Sequence, residues 1–217
     1  MSEVTVYGAP YSTYVRSVRL ALEEKGVPYD LVDVDILSEE GVPKEHYARQ
    51  PFGKIPAFEH AGFPLHETTA INHYIDEAFD GPALMPGDAR GRARANQVIS
   101  LLDSHAYKAC VWDVFVQRVF VPSKGGESDE ETVAAGLKTA ETCMTALEKI
   151  MGEGPYLAGR TVSLADLHAY PIFRYFLMTP DGSDAFKRHA KLCAWWETMS
   201  ARPSVAATVS PLESRGG

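Results

Sequence analysis

The chain has 217 residues, 45% of them hydrophobic and 23% charged, and a formal net charge of −8. That length and composition suit one large or two modest packed domains that need no disulfide or structural metal. The acidic balance argues against nucleic acid as the main partner, because phosphate binding needs a basic face. The cysteines Cys110, Cys143 and Cys193 lie far apart, and none forms a CxxC pair. They mark neither a disulfide framework nor a zinc site, and read as core thiols of a reducing compartment. The most apolar stretch, residues 109–121, is interrupted by Asp113, Gln117 and Arg118, which is incompatible with a membrane span. The first residues carry no charged-then-apolar signal segment. The expectation is a soluble cytoplasmic protein with no nucleic-acid or membrane partner and no metal.

In chain order, Val4–Tyr7 reads as a strand closed by Gly8-Ala9-Pro10. From Thr13 to Lys25 the residues Val15, Val18, Leu20, Ala21 and Leu22 fall on one helical face, and Gly26-Val27-Pro28 ends the helix. Residues 29–35 alternate as a second strand, so strand, helix and strand form a parallel crossover. A short helix is predicted over 44–49. Strands at 55–59 and 63–66 flank Ala61-Gly62, a hairpin signal, and helical spacing returns from Glu67 to Phe79. This βαβ-then-ββα order is a thioredoxin-like arrangement.

Residues 81–88 are rich in breakers and read as a linker between a domain of residues 1–80 and one of residues 89–217. In the second, helices are predicted over 90–121, 129–151, 163–175 and 189–201. Ser163 and Asp166 have capping-box spacing, with Val162 and Leu167 as a hydrophobic staple; the motif serves folding rather than chemistry. The fold class is thus an α/β thioredoxin-like N-terminal domain followed by an all-α C-terminal domain.

Three segments of the first domain carry residues suited to chemistry: Tyr7 to Arg16, Pro51-Phe52-Gly53-Lys54-Ile55-Pro56, and His66-Glu67-Thr68-Thr69-Ala70-Ile71. FGKIP, HETTAI, ALEEKGVPYDLVDVD and VSLADLHAYP together resemble the cytosolic glutathione transferases over nearly the whole length. The spacing of Ser12 is similar to the serine-type classes, phi-like most closely, or theta-like, of bacterial or fungal kind. The resemblance implies glutathione as co-substrate, a small hydrophobic electrophile as second substrate, and a homodimer.

The chemistry expected of that family is thiolate attack, and a thiolate needs an anion site. A helix N-terminus with a hydroxyl donor supplies one. The resemblance assigns that donor to Ser12, which is otherwise an ordinary N-cap. Tyr7, at the end of the first strand, is the rival donor. No cysteine occupies the turn, which argues against mixed-disulfide chemistry. Pro56 resembles the family's cis-proline, which would present the Ile55 backbone to the cysteinyl part of glutathione. Glu67 would pair the γ-glutamyl ammonium, and the Thr68 hydroxyl and N–H would take its carboxylate. Lys54 would neutralise a carboxylate. The histidine–lysine pair that phi and theta patterns place before this loop is replaced by Gly41 and Val42, leaving Lys44, His46 or Arg49 to bind the glycyl carboxylate.

For the second substrate, Tyr11 borders the expected pocket, and Tyr107, Val111, Trp112 and Phe115 lie on the long helix expected to line it. His105 reads as a structural histidine, and Trp195 and Trp196 as core. Peroxide reduction, dehalogenation and isomerisation use the same fold, as do non-catalytic binding or scaffold proteins, since fold alone does not settle function.

Overall fold

The computed structural model describes residues 2–38 and 40–213, and the chain divides after Leu84 into two units. The first begins with β1 (Val4–Tyr7), α1 (Thr13–Lys25) and β2 (Asp30–Val32). β1 and β2 pair in parallel, with Val6 opposite Leu31. A 3₁₀ turn, Lys44–Ala48, precedes β3 (Ala57–His60), β4 (Phe63–His66) and α2 (Thr68–Ala78). The sheet order β2-β1-β3-β4, with the last two pairings antiparallel, is the thioredoxin-like topology. Ala61 (φ 49°) and Gly62 (φ 83°) both take positive φ, the backbone that a tight two-residue hairpin demands.

The local signals explain these elements. Val15, Val18, Leu20, Ala21 and Leu22 of α1 are fully buried. Gly26, at φ 68°, closes the helix, its N–H donating to the Glu23 and Leu22 carbonyls. Val6 and Phe58, directly opposite in β1 and β3, bury the same sheet face. β2 is shorter than its alternation suggested, because only three of its residues find partners on β1.

The second unit runs from Met85 to Ala201. Asp88 caps α3 (Ala89–Leu101), its side chain accepting the Arg90 and Gly91 amides. Beyond Leu101 the helix widens to π-type bonding over Leu102–Ala106 and Lys108–Phe120, with Tyr107 N–H donating to the Leu102 carbonyl and Val121 N–H to that of Val116. The predicted helix is therefore present but not uniformly α. Burial follows the wider turn: Ala106 and Val111, Ala109 and Val114, and Cys110 and Phe115 are buried pairs in this register. After a last turn, α4 (Val121–Ser123), come α5 (Glu130–Met151), α6 (Leu164–Phe176), α7 (Pro180–Phe186) and α8 (Ala190–Ser200). Trp195, Phe173, Phe176, Met144 and Leu147 are fully buried. Trp195 belongs to the core as read, whereas Trp196 is half-buried and stacks on Tyr170 at 4.5 Å.

The Asp166 carboxylate is fully buried in this unit. Its Oδ2 accepts from the Ser163 N–H and hydroxyl at 2.8 Å, and its Oδ1 from the Leu157 N–H and Trp195 Nε1 at 2.8 Å. Burial raises its pKa, and these donors oppose that shift.

Two boundaries differ from the reading of residues 81–88 as linker and 89–217 as second domain. Leu84 is fully buried in the first unit, its N–H donating to Asp76 Oδ1 at 2.7 Å. From Arg202 the chain returns to the first unit, where α9 (Pro203–Ala207) lies against α1. Arg16 on α1 is buried and pairs with Glu213, and Arg202 pairs with Glu24. Helical spacing alone does not reveal which unit a terminal helix joins. His105, read as a structural histidine, is exposed, whereas His168 and His189 of this unit are buried and partnered, His168 Nε2 lying 2.7 Å from Asp103. Among the described residues no helix is long and apolar enough to cross a membrane.

Candidate functional site

The candidate residues of the first unit lie at the junction of β1 and α1, on the loop before β3 and at the start of α2. Ser12 is the N-cap of α1 in extended backbone, and its Oγ accepts the Val15 N–H at 3.3 Å. That bond occupies an oxygen lone pair and leaves the hydroxyl proton available; no acceptor among the described residues takes it. The first turn of α1 contains no acidic residue, so the positive end of its dipole is not neutralised locally.

Gly8 shows how closely the loop before β3 approaches this junction. A Cβ there would stand 2.4 Å from Val15 Cγ2 and 3.2 Å from Ile55 Cβ. Glycine is required because strand end, helix start and loop meet without room for a methyl group. The Ile55–Pro56 peptide is cis, as the motif implied. Among the described residues no group bonds the Ile55 N–H or carbonyl, while its side chain is buried.

The loop is held from inside. Buried Gln50 accepts the Phe52 N–H at 2.7 Å and the Lys54 N–H at 3.2 Å on its Oε1. His46, fully buried, places Nε2 2.7 Å from the Lys54 carbonyl, so this nitrogen carries the proton and donates. The Lys54 side chain itself is exposed and makes no ion pair among the described residues. Gly53, at φ 65°, lies against the Tyr47 ring, where a Cβ would approach within 2.9 Å.

Glu67 precedes α2 with φ 71° and ψ 115°, a backbone that non-glycine residues rarely adopt. Its side chain does not cap the helix, which leaves the first amides of α2 open to an incoming anion. The exposed carboxylate accepts from Gln50 Nε2 at 3.4 Å, and Thr68 behind it is buried.

Residues 2–77 match the family model "Glutathione S-transferase, N-terminal domain", and residues 111–203 match "Glutathione S-transferase, C-terminal domain". The chain belongs to the glutathione S-transferase family. A probable glutathione S-transferase, GSTF1, of Oryza sativa subsp. japonica is 34% identical, covering 97% of this chain and 99% of its own. Glutathione S-transferase F6 of Arabidopsis thaliana is 31% identical over 94% of this chain and 98% of its own. Among solved structures, glutathione transferase F7 from Populus trichocarpa superposes with a TM-score of 0.84 at 30% identity, covering 98% of both chains. Glutathione S-transferase I from mais, in complex with an atrazine glutathione conjugate, superposes at 0.82 with 28% identity over 94% of this chain and 95% of that one.

Within this family member the sequence-derived candidates fall into distinct environments. Ile55 and Val15, three residues after the Ser12 cap, meet at Gly8, and Gln50 ties the Lys54 amide to Glu67. Tyr7, the rival donor, lies with its ring 4.4 Å beneath the Arg49 guanidinium. Tyr11, expected to border a pocket, donates its hydroxyl to Asp35 at 2.7 Å; burial and then this carboxylate hold its pKa well above the ordinary tyrosine range. Of the three candidates for the glycyl carboxylate, His46 is committed to Lys54, Arg49 covers Tyr7, and Lys44 is exposed.

In the second unit Val111 and Phe115 are buried, and Phe115 stacks on Tyr175 at 4.6 Å. Trp112 is 46% exposed and Tyr107 half-buried. The cysteines are free thiols of this unit; burial raises all three, Cys143 to about 11, which keeps them protonated and poorly nucleophilic. Sequence reasoning missed Gln50 and the role of His46. The available signal was a polar pair immediately before a glycine-proline loop whose amides need partners.

Proposed function

We propose that this chain binds glutathione in its first unit and transfers the thiolate to small hydrophobic electrophiles, with Ser12 donating a hydrogen bond to the sulfur. The observation that carries the reading is the Ser12–Val15 bond. The hydroxyl that caps α1 retains its proton at the positive end of the helix, where a sulfur anion gains most. The γ-glutamyl ammonium pairs with Glu67, its carboxylate meets Thr68 and the amides of α2, and the cysteinyl backbone meets Ile55 beside Pro56. Lys54, exposed beside them, neutralises a carboxylate.

With a halogenated nitroarene the sulfur lone pair forms the S–C bond, the C–halogen bond breaks, and halide leaves with its electron pair. The thiol proton has already passed to solvent. Ser12 acts through its hydrogen bond and need not become a base.

The alignments with plant relatives and the Ser12 spacing support a serine-type, phi-like class. Membership of the glutathione S-transferase family supports a homodimer. Three unpaired cysteines support a cytoplasmic location. Titration calorimetry with reduced glutathione, followed by halogenated-arene turnover, tests the function. Binding and turnover are expected. Absence of binding overturns the reading, and binding without turnover on any electrophile indicates a scaffold.

A further inference from the structure

We propose that Gln50 is a positioning residue that couples the cysteinyl and γ-glutamyl grips of the glutathione site. This rests on the glutathione reading above and deepens it. Gln50 is 2% exposed, so its amide must satisfy its polar atoms within the protein. Its Oε1 faces two donors, the Phe52 N–H at 2.7 Å and the Lys54 N–H at 3.2 Å. Turning the amide over would set NH₂ against two N–H groups, so the loop dictates the amide's orientation. Nε2 is thereby aimed at Glu67 Oε1, 3.4 Å away.

The two ends of this bridge are the two ends of the ligand site. Lys54 immediately precedes Ile55, and its carbonyl is held independently by His46 at 2.7 Å, so both polar groups of the Lys54 backbone are taken. Glu67 sits in strained backbone at φ 71°, a conformation that its surroundings must maintain. Gln50 reads one feature to the other: when the loop is in place, the Glu67 carboxylate receives a donor and a fixed direction. Its second oxygen, Oε2, stays available for an ammonium group. Such pre-organisation improves affinity by reducing the ordering that binding requires.

The test compares wild type, Gln50→Ala, Glu67→Gln and the double variant. Glutathione binding is read by calorimetry, steady-state kinetics by a halogenated arene. A third readout is the preference for glutathione over glutaryl-cysteinyl-glycine, which lacks the γ-glutamyl amino group. Gln50→Ala is expected to raise the glutathione KM about tenfold while kcat at saturation changes less than about threefold, as loss of a bond to a charged group implies. Preference for the amino group should shrink, and the double variant should bind within about twofold of Glu67→Gln, the signature of residues acting together. Multiplying effects, or a lower kcat with KM and preference unchanged, would overturn the proposal.

Should Gln50→Ala not fold, Gln50→Asn enters the same cycle. Its amide is one methylene too short to serve loop and carboxylate together, so the same loss of preference is expected, and wild-type KM with wild-type preference refutes the coupling. Wild type giving no heat with glutathione would instead remove the functional reading beneath it.

Discussion

The Ser12 hydroxyl oxygen accepts the Val15 amide at 3.3 Å, so one side chain both starts α1 and, in the proposed function, offers its proton to the glutathione sulfur. The two roles are separable by chemistry. Removing the cap is worth about 1 kcal/mol of stability. Removing a charge-assisted donor is worth about 1.5–3 kcal/mol in the transition state, so Ser12→Ala should lower turnover roughly 10- to 100-fold with glutathione affinity little changed. Ser12→Asp sharpens the distinction: it caps the helix as well as serine but sets a negative charge beside the sulfur. Melting close to wild type with turnover lost is expected, and spectroscopic titration of the bound thiol should show its pKa raised. Full activity in Ser12→Ala together with loss in Tyr7→Phe would transfer the role to Tyr7.

Glu67 makes no ion pair among the described residues and does not cap α2, so its charge is available to a cation. Glu67→Gln should weaken glutathione binding roughly 10- to 100-fold, measured by calorimetry, while the thermal midpoint stays near wild type. Equal affinity would exclude an ammonium contact at this residue.

Asp166 is a folding residue. Asp166→Asn replaces an acceptor of four donors by an amide that presents its own N–H₂ to some of them. A loss of about 2–4 kcal/mol in denaturant unfolding is expected, since each orphaned buried donor costs about 1–3 kcal/mol. Turnover per folded molecule should remain close to wild type. An unchanged unfolding midpoint would show that the bonds contribute nothing.

Glu24 predicts the acid behaviour of the C-terminal segment. Burial raises its pKa, but hydrogen bonds from Arg202 and Ser204 outweigh burial and hold it below the ordinary glutamate value of 4.5. A folded pKa below the unfolded one contributes stability that is present above the unfolded value and is lost as pH falls through the folded value. Stability should therefore decline below about pH 4.5, and Glu24→Gln should flatten that limb while lowering stability at neutral pH. A limb of unchanged steepness in the variant would assign the acid transition to other carboxylates.

Much of the architecture was legible because its determinants are local. The bounds of α1 follow from Ser12 as cap, an apolar face of helical period and Gly26 as terminator, all within one short stretch. The hairpin follows from Ala61-Gly62, and the start of α6 from Ser163 and Asp166. Motif order singled out Ser12, Ile55, Pro56 and Glu67 as a candidate set. Their environments were not legible in it. Tyr11 offered no sign that Asp35 would take its hydroxyl, and nothing in the local pattern distinguishes the π-type register of Lys108–Phe120 from an α-helix.

Helix and strand periods, caps and turns are energies set between residues a few positions apart, so the linear chain already specifies the two-part architecture and the order of its elements. The Gln50–Glu67 bond, the Arg49–Tyr7 stack and the return of the chain from Arg202 to α1 join residues distant in sequence. Those depend on which surfaces meet once the elements pack, a choice made by the summed burial of many side chains rather than by any local signal.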